Sequence, residues 1–104
     1  MGILKDAGES LVNFSERFLD KTEELAQIAR ITMEIKKLEH SIKEIYLNTG
    51  KYVYDQVVSD RPISNMDDFI IKAVATINDY KTKIQEKQNE IQKVKEHYES
   101  KYHR

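Results

Sequence analysis

The chain reads as an all-α protein. The expected fold is an antiparallel two-helix hairpin (coiled coil) with an amphipathic N-terminal helical extension, assembling into a multi-helix bundle. Three observations predict it. Ile28, Ile31, Ile35, Leu38, Ile42, Ile45, Thr49, Tyr52 and Gln56 follow one another in alternating steps of three and four. That is the a/d seam of a heptad repeat, and such a seam asks for a partner helix. A second stripe of the same spacing runs through Met66, Ile70, Ala73, Ile77, Tyr80, Ile84, Lys87, Ile91, Val94, Tyr98 and Lys101. Between the two stands the single proline, Pro62.

The bulk composition agrees. With 34% charged residues, three Gly, one Pro and no Trp in 104 residues, turn formers are too few for a compact sheet. Such a chain buries a long thin seam rather than a round core, so self-association is expected. The expected organisation is an N-terminal amphipathic helix or extension over residues 1–24 and a hairpin over 25–104, with its turn near 59–64.

In the N-terminal part, Leu4, Ala7, Leu11, Phe14, Phe18, Lys21 and Leu25 keep the same alternation, which predicts an amphipathic helix. Leu25, Ile28 and Ile31 are then separated by two steps of three, so the stripe shifts sideways around the helix at that point. Its apolar face would sit on protein or on a membrane. Acidic Asp6, Glu9, Glu16, Asp20, Glu23 and Glu24 outnumber basic Lys5, Arg17 and Lys21. Anionic lipid prefers a basic polar face, so protein contact is the favoured reading.

The main seam follows on a helix of good formers. Tyr46, Val53, Tyr54, Val57 and Val58 widen its apolar stripe toward the C-terminal end, more than a two-stranded seam requires. Gly50 interrupts neither register nor pattern, so one continuous helix is expected. Pro62 cannot continue helical hydrogen bonding and pushes Arg61 out of the α region. Ser64 or Asn65 is expected to cap the second helix, with Asp67 and Asp68 in its first turn.

Folding back around residues 61–62 sets a register. Tyr52 is expected near Ile70, Ile45 near Ile77, Leu38 near Ile84, Ile31 near Ile91 and Leu25 near Tyr98. Thr49 and Gly50 are expected beside Ala73. The hairpin seam is therefore assigned to Ile31, Ile35, Leu38, Ile42, Ile45, Ile70, Ile77, Ile84 and Ile91. Lys87 interrupts it, its stem buried and its amine reaching toward Glu34 or Glu39. A second helix of about 39 residues spans roughly 58 Å and reaches back to about Lys21. Residues before that have no partner within a straight hairpin. Leu4, Leu11, Phe14 and Phe18, together with Tyr46, Val53 and Val57 near the turn, are the candidate oligomer or membrane surface.

No constellation carrying chemistry stands out. His40, His97 and His103 form no HExxH and no Glu-x-x-His. The chain has no Cys, which excludes disulfides and thiolate metal sites. Its three glycines are scattered, so no phosphate-cradling loop is present. Net charge is −1, and Lys93, Lys95 and Lys101 are interleaved with Glu96 and Glu99, so no basic stripe points to nucleic acid. No apolar run is long enough to span a bilayer, and Lys5, Asp6 and Glu9 break up any secretory signal.

Ile35-Lys36-Lys37-Leu38-Glu39, Ile42, Ile45-Tyr46 and Thr49-Gly50-Lys51-Tyr52-Val53-Tyr54 resemble a group of small uncharacterised bacterial proteins. Those have a short amphipathic N-terminus, a helical hairpin and often a C-terminal zinc ribbon. The resemblance extends over roughly residues 1–95 in layout. Without Cys, the ribbon and its metal are not carried over. The resemblance implies a bacterial, cytoplasmic, non-enzymatic protein. The functional expectation is a scaffold or adaptor whose partner is a second copy of itself or another protein, with no cofactor, no metal and no nucleic acid. The alternative is a peripheral membrane or envelope-stress protein standing on its N-terminal helix.

Overall fold

The computed structural model describes the backbone of residues 2–101 and the side chains of residues 15–101. Two helices, α1 (Gly2–Val58) and α2 (Asp68–Ser100), pack against each other as an all-α helical hairpin. No strand occurs among the described residues.

α1 runs unbroken through Gly50. A Cβ built at Gly50 would meet nothing within 4 Å, so the glycine answers no steric demand inside the chain. It is not beside Ala73, as the sequence suggested: Gly50 is exposed while Thr49, one position earlier, turns inward. The 100° advance per residue separates them. Thr49 shares a hollow with Ile45 and Ala73, and its buried Oγ1 has no hydrogen-bond partner.

α1 stops before the proline acts. The Arg61 N–H donates to the Gln56 carbonyl at 2.9 Å, and the Asp60 N–H to that of Val57 at 3.2 Å. This pair is a Schellman motif, which satisfies the last carbonyls of the helix. It requires a left-handed residue, and that residue is Asp60, with φ 56°. Pro62 lies beyond the motif and keeps the chain from resuming a helix.

The connection covers residues 59–67, longer than the 59–64 expected. The cap of α2 is neither Ser64 nor Asn65 but Asp67. Its Oδ1 accepts from the N–H of Phe69 at 2.9 Å and of Ile70 at 3.3 Å. Its own carbonyl accepts the first helical bond, from Ile71. Ser64 instead caps a local turn, accepting from the Met66 N–H. Met66, placed in the second seam by its spacing, precedes the helix and is exposed.

The contacts divide into two compact units: Thr32–Gln88, and Met1–Ile31 with Asn89–Arg104. In the first, Ile35, Ile42 and Ile77 are buried, and Leu38, Ile45, Ile70 and Ile84 are half-buried. The Lys87 amine meets Glu34 at 2.7 Å rather than Glu39. The pair is partly exposed and worth at most about 1 kcal/mol. In the second unit, Ile31 and Tyr98 are buried and Ile91 is half-buried. Gln27 Nε2 donates to the Tyr98 hydroxyl at 3.1 Å, and Lys101 reaches Asp20 at 3.3 Å.

One expected contact is displaced. Leu25, placed opposite Tyr98 by the apolar stripe, is 54% exposed, whereas Glu24 is buried and bonded to Lys21 at 3.0 Å. The inward stripe of α1 takes two successive steps of four here, where the apolar residues take two of three. It continues inward through polar Asp20, Glu24 and Gln27, and only the apolar residues step aside.

Two outcomes follow for stability. Ile42→Ala and Ile77→Ala should each cost about 2–3 kcal/mol in urea unfolding, the lower part of the range for buried Ile because a thin seam can partly collapse. Asp60→Gly should add about 0.5–1 kcal/mol by removing the left-handed penalty of a Cβ, seen as a higher urea midpoint at unchanged slope.

Candidate interaction surface

A helix in a two-helix hairpin can turn only one stripe inward, so other large apolar residues remain outside. In the unit Thr32–Gln88 they are numerous. On α1, Tyr46, Leu47, Tyr54, Val57 and Val58 are each more than half exposed. On α2, Phe69, Ile71 and Val74 are exposed, and the connection adds Ile63 and Met66. All of these lie in the part of the hairpin nearest the turn; Met33, also exposed in this unit, lies away from it. Leu47, Gly50, Tyr54 and Val57 are spaced three, four and three apart, a second stripe on the face of α1 opposite Ile45, Thr49 and Tyr52. Tyr46, Leu47, Gly50, Lys51, Tyr54 and Asp55 line a shallow hollow on it.

Of the surface residues named from the sequence, Tyr46 and Val57 lie on this exposed face. Val53 is half-buried at the margin of the seam. Phe18 is exposed in the other unit, with Leu19 and Leu25. Leu4, Leu11 and Phe14 lie outside the residues whose side chains are described. Sequence reasoning passed over Leu47, Ile71 and Val74. Leu47 carried a signal, the three-four spacing to Gly50 and Tyr54, but the stronger isoleucine stripe on the same helix masked it.

The second unit holds a hollow where charged Arg17, Asp20, Lys21 and Glu24 border apolar Leu25 and Ile28, with Tyr98 across from them. Its charges bind one another: Lys21 holds Glu24, and Lys101 holds Asp20 while lying 5.7 Å from the Tyr98 ring centre. Burial, and then the Glu23 carboxylate, raises the Tyr98 phenol above its ordinary pKa. His40 pairs with Glu44 at 3.0 Å on the surface. His97 meets the Tyr98 ring edge-on. His103 is outside the described residues. Among the described residues, no group of three or more His, Cys, Asp or Glu is placed to hold a metal ion. Among them, too, no helix is long and apolar enough to cross a membrane.

The edge of the apolar face is fixed at the turn. Tyr52 stacks on Phe69, ring centres 4.4 Å apart, and its hydroxyl donates to Asp67 Oδ2. Asp67 thus caps α2 with one oxygen and ties it to α1 with the other. The Tyr52 bond, ahead of the backbone N–H groups, lowers the Asp67 pKa below 3.8. The same bond raises the Tyr52 phenol above 10.0.

Because the Asp67 pKa falls on folding, its contribution is complete above about pH 3.8 and is lost as pH drops through the lower, folded value. For Tyr52 the sign is opposite: the contribution is complete below pH 10.0 and is lost as pH rises through the higher, folded value. Tyr52→Phe keeps the stacking and removes the donor. Melting followed from pH 2 to 11 should show a shallower acid loss and no phenol-linked alkaline loss at this site in the variant.

No protein-family model matches the chain, and neither a curated protein nor a solved structure matches it.

Proposed function

We propose that this protein is a non-enzymatic coiled-coil scaffold or adaptor that self-associates, working in the bacterial cytoplasm. The observation that carries this reading is the crowding of exposed apolar side chains at the turn-proximal part of the hairpin. A monomer that leaves Leu47, Tyr54, Val58, Ile71 and Val74 in water forgoes much of its available burial, and contiguous patches of this kind mark interaction sites. The intrachain core is correspondingly meagre. Among the described residues, five hydrophobic side chains are buried and none is less than 2% exposed. Packing a second hairpin on the outer faces would give each helix a second buried stripe, the arrangement of a multi-helix bundle.

A second reading has its own support. Phe18, Leu19 and Leu25 are exposed in the other unit, as a membrane-resting helix would require. The acidic excess nearby weighs against it.

Two measurements separate the readings. Sedimentation equilibrium should give a mass that is a multiple of 12.3 kDa; a single-chain mass at 100 µM, a concentration chosen to populate weak dimers, would remove the first. Co-sedimentation with anionic vesicles, abolished by deleting residues 3–19, would favour the second.

A further inference from the structure

The outer face of α1 carries a charge pattern as well as an apolar stripe. His40, Glu44, Lys51 and Asp55 are spaced four, seven and four apart. On an α-helix that spacing places them along one flank of Leu47. All four are exposed, and so are Leu47, Gly50, Tyr54 and Val58 beside them. Lys51 and Asp55 form no ion pair with any described residue.

Laid against a second copy of itself in antiparallel sense, this flank is self-complementary. In a two-fold contact centred between Leu47 and Asn48, Glu44 of one copy stands opposite Lys51 of the other, and His40 opposite Asp55. Both pairs fall in the same register, and the two-fold axis makes each of them twice. Asp55 therefore meets a base across the contact, and Glu44, which pairs with His40 at 3.0 Å in its own chain, gains Lys51 as a second. In a parallel, in-register pairing the two-fold axis runs along the helices and carries this flank of the two copies to opposite sides of the contact, so none of these four residues would meet another of the four.

The apolar residues fit the antiparallel register too. Leu47 meets Leu47 at the axis. Tyr54 comes opposite His40 and Ser41, where the Met33, Lys36 and Lys37 stems border a shallow hollow. Gly50 lies one turn from the axis with open space above it. A glycine there costs about 1 kcal/mol of helix propensity relative to Ala, and it gives the neighbouring helix room for close approach.

Resting on the self-association proposed above, we infer that the outer face of α1 is a two-fold docking surface for a second copy of this chain. It is centred on Leu47, and its antiparallel register is set by Glu44–Lys51 and His40–Asp55 across the contact. The partner is thus α1 of another molecule, while α2 stays on the inner side of each α1.

Charge reversal in the full chain tests this, with sedimentation equilibrium as the readout and circular dichroism confirming helicity. Each single variant, Glu44→Lys or Lys51→Glu, places like charges together at both ends and should weaken association about tenfold or more. The double variant restores opposite pairing and should return the constant to within about threefold of the parent. Because the chain has no cysteine, Leu47→Cys gives an independent check. Mild oxidation should produce a covalent dimer, whereas Lys81→Cys on α2 should not. An associating parent whose constant neither reversal changes, with no Leu47→Cys dimer, would overturn this surface and leave self-association standing. A parent of single-chain mass would overturn both.

Discussion

The isoleucine seam between α1 and α2 is the interaction on which the remaining structure depends. Ile31, Ile35, Ile42 and Ile77 are its buried members, and β-branched side chains at heptad spacing hold one rotamer and one register. Two helices offer only one inward stripe each. Everything else the sequence invests in apolar side chains must face water or another molecule. The exposed outer face of α1 is the direct result of that geometric limit, not of poor packing.

The turn is controlled by two aspartates with different tasks. Asp60 accepts a left-handed backbone so that the carbonyls ending α1 are satisfied. Asp67 starts α2 and binds Tyr52 across the hairpin. Short polar side chains suit both places, because they bond to nearby backbone groups and tolerate non-helical torsions. Pro62 marks the turn in the sequence, yet the hydrogen bonds that define it lie on either side.

Much of the fold was legible because its signal is periodic. The seam spacing, the single proline and the scarcity of glycine all point to a two-helix hairpin, and the position of Lys87 narrowed its partner to Glu34 or Glu39, of which the structure shows Glu34. The rest was hidden for physical reasons. Asp67 reads equally as a first-turn acid or as a cap, and only the backbone geometry decides. Leu25 follows the apolar pattern but not the helical direction, so hydrophobicity pointed outward while Glu24 faced in. The exposed face was half visible: Tyr46 and Val57 stood out, whereas Leu47 was passed over beside a stronger stripe. A cellular role leaves no trace in such a pattern, since packing demands alone account for nearly every residue type seen.

The absence of any fully enclosed side chain among the described residues has a thermal consequence. The heat-capacity increment of unfolding scales with the apolar surface newly wetted. A slender seam wets little, so the free energy of a lone hairpin bends only gently with temperature and its transition is broad. Any burial added by a second molecule enters through mass action. The sharpness of melting then becomes a function of how much protein is in the tube.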